Sequence, residues 1–524
     1  MTLLESLLAK GYFPRELPPP FGSAKYGRFA KGVGSSWPAK AWTLCVEHNL
    51  AKPGGLRRPL KIPNPISFFA LANVIALNWP EIKRHTSQQR LSFSRPYRMA
   101  SSGRAVVARY KYSELPRLRA LRWRAGRYLL QTDINQFYPT IYTHSVPWAL
   151  HTKAVSKAAL RSGKKKSSVA LLGDQLDTLL QRMNDGQTHG IPIGPDTSLV
   201  VAEILLAAAD QALVAKRGKT FSGFRYVDDY ELSFQSSSAA EETLSELQSI
   251  LASFELSLSQ KKTRIVDLPF RLDSTWAIDL KTSPIRAREH PVGQRNDILG
   301  LFSKAFDLAA AHSEESVLRY AVAKVQGLDV DASGWRSFHN CVLSAAAGDP
   351  STLPVALGTL YRVALRGGHL VPKAPLEEVF ESVIARHAPL AQGSEVAWAL
   401  WGSLAWSVPL STSAARLVSG MEDDVVALLA MDLDAEGLFP KGALNKNGWA
   451  ALAAEPDALS GKHWLLAYEA NQQGWLSAAS IAKNREFSAM STAHVNFYDK
   501  KKRKPLFPDA GRAQPGGTLW WNYA

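Results

Sequence analysis

Two adjacent aspartates interrupt a run of β-forming residues between Phe224 and Phe234. Aromatic and aliphatic residues alternate on both sides of Asp228-Asp229, which predicts two short antiparallel strands joined by a tight acidic turn. Successive residues of a strand point to opposite faces, so only a turn brings both carboxylates toward one site. The pattern therefore predicts a β-hairpin that presents two carboxylates together. Aspartate pairs also cap or solvate many ordinary loops, so the pair alone does not define a site.

A third aspartate, Asp133, ends a separate apolar strand pattern. An apolar helix is expected over 197–215, and a second helix over 239–256 precedes a strand expected over 263–266. Strands and helices mix without regular βαβ alternation, which indicates an α+β fold. Taken alone, Asp133 is more typical of a helix cap than of a metal ligand.

The chain changes character near residue 290, after which helical patterns alternate with short Gly, Pro and Ser breaks. One of these helices is expected over 412–430, and paired helices in series indicate an α-solenoid. A chain of 524 residues exceeds the size of most single cores. We therefore predict an α+β domain over 1–285 and an all-α helical-repeat domain over 286–524 with a basic tail. Three tryptophans at helical spacing are expected to pack in the core of this second domain: Trp398, Trp401 and Trp406.

Lys and Arg outnumber Asp and Glu by 62 to 46, which gives a formal net charge of +16 and a pI near 9.6. This excess favours a polyanionic partner such as nucleic acid, because neutralised phosphates release condensed counterions. A basic surface without a dedicated partner is the alternative. The basic clusters Lys164 to Lys166 and Lys500 to Lys504 could contact nucleic acid or lie in solvated loops.

Several other classes of protein are disfavoured. The two cysteines, Cys45 and Cys341, are too few and too far apart for a disulfide scaffold or a cysteine zinc site. The N-terminal residues do not resemble a signal peptide. Glu203 and Asp210 interrupt the apolar run at 199–214, so no membrane span is expected. We predict a soluble, cytoplasmic protein that does not bind membranes.

The three aspartates suggest a specific chemistry. Transfer of a nucleotidyl group uses two divalent ions that lie close together, and hard cations take carboxylate oxygens as ligands. Carboxylates close in space but distant in sequence provide such a site. Asp228 and Asp229, together with Asp133 from 95 residues earlier, are the candidates, with Asp228 expected as a main ligand and Asp229 as a weaker or outer one. The expected cofactor is a pair of Mg²⁺ ions, for which Mn²⁺ could substitute.

Four segments resemble, in order, motifs A, B, C and D of reverse transcriptases, and they lie at 131–143, 190–198, 224–234 and 256–266. The third contains Tyr-Val-Asp-Asp, which is similar to the YxDD box of that superfamily. The resemblance covers about the first 280 residues. It implies fingers and palm subdomains, DNA polymerase activity, dNTPs as substrates and a nucleic-acid partner.

Within that superfamily, the chain resembles the abortive-infection and phage-defence reverse transcriptases of bacteria. This resemblance rests on FPRELPPPF at 13–21, FYPTIYTHSVPW at 137–148 and GIPIGPDTS at 190–198. It implies a helical-repeat C-terminal domain, a homo-oligomer and a role in antiphage defence. Apolar helices such as Val396 to Trp406 are expected to form an oligomer interface. The alternatives are an enzyme that copies a dedicated RNA and a protein that binds a non-coding RNA on a polymerase fold.

The reverse transcriptase resemblance also implies the metal ligands. Asp133 and Asp228 would bind both magnesium ions with help from the backbone carbonyl of Ile134.

Motif B departs from the family pattern, because Ile193 stands where retroelement enzymes have glutamine. An aliphatic side chain cannot make the hydrogen bonds of that amide, so conventional template copying is in doubt. Some abortive-infection relatives prime DNA on a protein tyrosine, and the candidates here are Tyr12, Tyr26, Tyr97, Tyr110 and Tyr523.

Four further residues have roles implied by the same resemblance. Tyr138 would exclude a 2′-hydroxyl by stacking under the sugar, and its alternative is an ordinary packing aromatic. Lys262 would protonate the leaving pyrophosphate, and its alternative is a phosphate contact or a solvated charge. Arg104 is expected to bind the triphosphate, and Gly194 to lie at the substrate in motif B.

Overall fold

A computed structural model describes residues 1–33, 37, 41–88, 91–99, 101–161, 170–477 and 481–503. The basic segment Lys164 to Lys166, the last lysine of the C-terminal cluster (Lys504) and Tyr523 lie outside these described residues. The strands are β1 (Val46–Ala51), β2 (Arg57–Ile62), β3 (Pro96–Tyr97), β4 (Val107–Ala108), β5 (Tyr128–Asp133), β6 (Phe221–Tyr226), β7 (Asp229–Phe234) and β8 (Arg264–Asp267).

The helices fall into two groups. Those before residue 286 are α1 (Leu3–Lys10), α2 (Ala24–Val33), α3 (Pro65–Leu77), α4 (Trp79–Thr86), α5 (Leu115–Trp123), α6 (Phe137–Thr140), α7 (Ser145–His151), α8 (Lys153–Arg161), α9 (Leu172–Arg182), α10 (Asp196–Arg217), α11 (Ser237–Ser253) and α12 (Thr275–Lys281). Those after it are α13 (Pro291–Ala311), α14 (Val317–Val325), α15 (Ala332–Gly348), α16 (Leu353–Gly367), α17 (Lys373–His387), α18 (Gly393–Trp406), α19 (Thr412–Ser419), α20 (Asp424–Ala435), α21 (Asn447–Ala454), α22 (Trp464–Gln472) and α23 (Arg485–Thr492).

The strands β5 to β8 form an antiparallel sheet in the order β6-β7-β5-β8. The hairpin predicted over 224–234 is confirmed as β6 and β7, and the strand predicted over 263–266 is β8. Val227 and Asp228 alone form the hairpin turn, because Asp229 already pairs with Tyr226 as the first residue of β7. The chain is thus a mixture of helices and strands, as the α+β prediction requires.

Helix α10 corresponds to the helix predicted over 197–215. By length and composition it could cross a membrane, but 67% of its most apolar window is buried inside the protein. Its carboxylates Glu203 and Asp210 lie 2.9 and 2.7 Å from the buried guanidinium of Arg225 in β6. These features identify α10 as a core helix, in agreement with the prediction that no membrane span occurs there.

Beyond residue 285, the named elements of the described residues are all helices. This agrees with the predicted helical region. The single helix expected over 412–430 is instead two, because the chain leaves the helix at Gly420 and starts again at Asp423. The Asp423 carboxylate caps α20 by accepting two backbone N–H groups of its first turn, each at 3.0 Å.

Helix α18 lies in the interior of the helical region. Trp398 and Trp401 are buried, and the Trp398 indole N–H donates to the carbonyl of Glu16 at 3.0 Å. Their predicted role as packing residues is confirmed. The residues from Val396 to Leu404 are buried within the chain itself. The prediction that Val396 to Trp406 form an oligomer interface is therefore wrong, because this apolar surface is already covered.

One continuous hydrophobic core extends through both predicted domains. Tyr12, near the N-terminus, packs against Phe497 with ring centroids 5.5 Å apart, and Phe497 packs edge-on against Trp464 at 5.4 Å. At the boundary of this core, Arg57 in β2 forms a two-pronged ion pair with Glu395 in α18. The β1–β2 hairpin is thus attached directly to the helical region.

A buried ion pair fixes the turn that precedes α10. The Arg104 guanidinium donates to Asp196 with an Nε–Oδ1 distance of 2.8 Å, and also to the carbonyls of Phe13 at 2.6 Å and Gly194 at 3.0 Å. Gly194 has a φ of +131°, and a Cβ at this position would overlap the ring of Pro14. The turn therefore requires glycine both for its backbone conformation and for its packing.

Replacing Gly194 with Ala should lower the free energy of unfolding by about 2 kcal/mol or more, because the new methyl group combines an unfavourable φ with a steric overlap. Gly368→Ala is the matched control, since Gly368 has a φ of +67° and open space around it. The control should lose only about 1 kcal/mol. Urea denaturation of both variants measures the difference, and equal losses would contradict the packing argument.

Candidate active site

Strand register brings three aspartates to one end of the sheet. Asp133, the last residue of β5, is directly opposite Asp229, the first residue of β7. Asp228 occupies the adjacent hairpin turn, and its backbone carbonyl accepts the N–H of Ile134 at 3.2 Å. The carboxylates predicted from sequence patterns 95 residues apart are thus neighbours in space.

Neighbouring groups neutralise the negative charge of the Asp133 carboxylate only in part. It is 6% exposed, and its Oδ2 accepts from the ammonium of Lys262. Its Oδ1 is buried and receives no hydrogen bond from an N–H or O–H group. Asp228 lies close enough to share a proton with it. A buried carboxylate oxygen without a donor is a position that a cation can satisfy.

The pKa values of Asp228, in the turn, and Asp229, at the start of β7, reflect this crowding. Burial, followed by the charges of Asp229 and Asp133, raises the pKa of Asp228 to about 7. Asp229 faces solvent in part, but the surrounding protein displaces enough water to raise its pKa to about 6, with Asp133 as the second cause. Carboxylates that repel one another in this way fit divalent cations, which favour the ionised forms.

A preassembled metal cage is absent from the described part of the chain, because no three His, Cys, Asp or Glu side chains there converge closely enough to hold an ion. Magnesium commonly keeps water and substrate phosphates among its ligands and needs few protein carboxylates. Two carboxylates, those of Asp133 and Asp228, would be enough protein ligands for such an ion, with water and substrate as the others.

The ammonium of Lys262, for which the sequence predicted no partner, contacts the carboxylate of Asp133. The Lys262 side chain is 65% exposed, and its contact with Asp133 outweighs the effect of burial and raises the pKa of the ammonium. Thr263 anchors the segment through a 2.7 Å hydrogen bond between its hydroxyl and that of Thr132. In this structure Lys262 acts as a counter-charge beside the aspartates.

The segments 131–143 and 190–198, which resemble motifs A and B, lie against each other. Tyr138 is half-buried on the short helix α6, and its carbonyl accepts the N–H of Ile191 at 3.0 Å. The carbonyl of Ile141 accepts the N–H of Gly190 at 2.9 Å. Ile134, the predicted carbonyl ligand, is 1% exposed and bridges to Leu258 of motif D. The four motifs therefore form one contiguous unit.

Arg104 does not fit the role expected for it. Its guanidinium is 9% exposed and bound to Asp196, Phe13 and Gly194, so its donors are directed at protein acceptors. The assignment of Arg104 as a triphosphate ligand is therefore withdrawn. Its contact with the Gly194 carbonyl gives both residues a structural function in the motif B turn.

Two of the candidate priming tyrosines are inaccessible. Tyr12 and Tyr26 are fully buried, and their hydroxyls donate to the carbonyls of Pro63 and Pro65. Burial raises the pKa of both phenols, which disfavours the phenolate that would attack a phosphate. Among the others, Tyr97 is 43% exposed and Tyr110 is half-buried, while Tyr523 lies outside the described residues.

Two residues near the aspartates were missed by the sequence analysis. Lys52 follows β1, and burial together with the nearby charge of Arg58 lowers the pKa of its ammonium. The charges of Asp133 and Asp228 act in the opposite direction, so Lys52 lies within electrostatic range of both aspartates. Tyr112 is 45% exposed, and burial followed by Asp229 raises its pKa. The Lys-Pro-Gly-Gly turn followed by Arg57-Arg58 was the available signal for a basic hairpin. This hairpin and Asp133 are separated by about 80 residues in the sequence, so no local pattern indicated that they lie close together in the fold.

Comparisons with known proteins give little further information. No family model and no curated protein matches this sequence. Among solved structures, telomerase from Candida albicans in complex with a telomeric RNA fragment is similar with 13% identity and a TM-score of 0.29. The alignment covers 69% of this chain and 65% of the telomerase chain. Apo telomerase from Candida tropicalis gives 10% identity, coverage of 77% and 72%, and a TM-score of 0.30. Similarities this low carry no argument about the present chain.

Metal-free protein should lose stability as pH rises from about 4 to about 7. Folding raises the pKa of Asp228 from 3.8 to about 7, so the bound proton stabilises the folded state below the lower value. That stability is lost as pH passes through the higher value. Melting temperatures measured in chelator at pH 5 and pH 8 should differ less in Asp228→Asn than in the wild type. An identical difference in both proteins would show that Asp228 is not destabilised by ionisation.

Proposed function

We propose that this chain is a DNA polymerase of the reverse transcriptase type that transfers nucleotides with two magnesium ions. One observation carries the proposal. The β5–β7 register sets Asp133 opposite Asp229, with Asp228 at the adjoining turn. A protein that only bound RNA would gain nothing from three crowded, mutually repelling carboxylates. The four ordered motifs of the sequence point to the same activity.

The metal ligands would be Asp133 and Asp228, with Asp229 as an outer ligand and the carbonyl of Ile134 in support. Bound divalent ions would polarise the phosphoryl oxygens and lower the pKa of the attacking hydroxyl. The protein's own contribution is to hold these oxygens at the end of a rigid sheet. Asp133 is fixed further by its carbonyl, which accepts the N–H of Ser259 at 2.7 Å.

Cations beside the aspartates would bind the triphosphate. Lys52 and the exposed Arg58 belong to the β1–β2 hairpin, and Lys262 contacts Asp133. Lys262 could release Asp133 when metal binds and then donate a proton to the leaving pyrophosphate. Lys52 and Arg58 replace Arg104 in this proposal, because their charges are not committed to a buried carboxylate in the motif B turn.

Substrate choice would depend on Tyr138, whose ring would exclude ribonucleotides. The aliphatic Ile193 in motif B disfavours ordinary template recognition, so synthesis could use a dedicated RNA or no template. Priming on a protein tyrosine, a homo-oligomeric state and a role in phage defence rest on the family resemblance alone. The excess of basic residues also favours the second candidate, a scaffold that binds non-coding RNA and does not need synthesis.

Asp133→Asn and Asp228→Asn should each reduce dNTP incorporation by roughly a thousandfold, because each removes a metal-binding charge worth several kcal/mol in the transition state. Asp267→Asn is the matched control. This exposed aspartate lies at the opposite end of the same sheet, where it pairs with Tyr128. Purified variants are compared by incorporation of labelled dNTPs with Mg²⁺ or Mn²⁺. Wild-type activity that persists in both Asn variants would reject the polymerase and favour the scaffold.

Tyr138→Ala should increase the ratio of rNTP to dNTP incorporation by roughly tenfold or more, since a small side chain removes the clash with a 2′-hydroxyl. Tyr138→Phe keeps the ring and should retain the wild-type preference. The measurement is kcat/KM for one dNTP and its matching rNTP in all three proteins. An unchanged ratio in the alanine variant would return Tyr138 to the role of packing aromatic.

A further inference from the structure

The turn that carries Asp228 is strained at the preceding residue. Val227 has a φ of +54°, which lies in the left-handed region. A β-branched side chain rarely adopts this conformation, and surrounding structure must hold it there. The position of the following carboxylate depends on that backbone conformation, because Asp228 is the second and last residue of the turn.

Buried side chains bind both backbone polar groups of Val227. Its N–H donates to the Ser94 hydroxyl at 2.7 Å, and its carbonyl accepts from Nη1 of Arg225 at 2.7 Å. The Ser94 hydroxyl in turn donates to Oε1 of Glu203 at 2.6 Å. Two hydrogen bonds from opposite sides of the residue therefore oppose relaxation of its backbone.

The residues that make these bonds belong to a buried charged network formed by Ser92, Ser94, Glu203, Asp210, Arg225 and Tyr230. Arg225 is fully buried and donates to both Glu203 and Asp210, while the Tyr230 hydroxyl donates to Asp210 at 3.0 Å. The segment with Ser94 is held beside β6, because Phe93 donates its N–H to the Arg225 carbonyl at 2.8 Å. A fully bonded buried network is rigid, so it can serve as a fixed support.

We propose that Ser94 and Arg225 are positioning residues that keep Val227 in its left-handed conformation and thereby keep Asp228 beside Asp133. The network transmits the rigidity of α10 and β6 to the metal-binding turn without contacting substrate. This inference rests on the proposed metal site and adds the residues that shape it. Neither residue was singled out by the sequence, since the carboxylate partner that they share on α10 is distant from Ser94 in the chain and reaches it only on folding.

The test measures Mn²⁺ binding to the full chain by electron paramagnetic resonance of the free ion, with no need for polymerase activity. Ser94→Ala removes the acceptor of the Val227 N–H and should weaken Mn²⁺ binding roughly fivefold. Val227→Gly alone should bind nearly as the wild type does, because glycine adopts the same φ without strain. In the Val227→Gly background, Ser94→Ala should have an effect of about twofold or less.

Ser233→Ala is the matched control, because this buried serine lies in β7 of the same hairpin but its hydroxyl donates to the carbonyls of Arg122 at 3.1 Å and Ser222 at 3.0 Å, outside the network that holds Val227. It should leave Mn²⁺ binding unchanged. Equal effects of Ser94→Ala in the valine and glycine backgrounds, or no effect in either, would overturn the positioning role. Equal Mn²⁺ binding by the wild type and Asp228→Asn would instead reject the metal site itself, so the two failures are distinguishable.

Discussion

The pairing of β5 with β7 is the constraint on which the site depends. Asp133 and Asp229 are opposite one another only in the observed register, and a slip of one residue would turn one strand's side chains to the other face of the sheet. The pairing of β7 with β6 closes the hairpin so tightly that Val227 and Asp228 alone form its turn. Apolar residues of both strands are buried beneath the site, so the hydrophobic core fixes the alignment of the carboxylates.

Charge is distributed in two contrasting ways around this sheet. The interior network around Arg225 pairs its guanidinium with Glu203 and Asp210, so the cost of burying the ions is offset by hydrogen bonds. The aspartates at the sheet end are compensated only in part, by Lys262 at Asp133, and burial followed by mutual repulsion raises the pKa of Asp228 and Asp229. The rigid network around Arg225 binds Val227, which directly precedes the crowded carboxylate of Asp228. This is the arrangement expected where a protein holds ligands ready for cations that arrive with a substrate.

The helical region also contributes to the site, although it carries none of the aspartates. Arg57 on the β1–β2 hairpin is held by Glu395 of α18, and the same hairpin brings Lys52 within electrostatic range of Asp133. The helical region predicted as a second domain therefore holds the β1–β2 hairpin of the first in place, and both regions share one hydrophobic core. Because the apolar surface of α18 is used for this internal packing, any self-association must involve other surfaces.

The sequence by itself determined the hairpin, the three aspartates, the core helix α10 and the helical character of the C-terminal half. Each of these depends on local periodicity or on side-chain chemistry that is visible in a short segment. Only the tertiary structure decided which basic side chains lie near the three aspartates. Arg104 and Lys52 are both basic residues, yet folding buries Arg104 against Asp196 and brings Lys52 within electrostatic range of Asp133. The burial of Tyr12 and the support of Val227 by Ser94 were equally undetermined, because long-range packing selects the partner of a polar group and no local pattern encodes that choice.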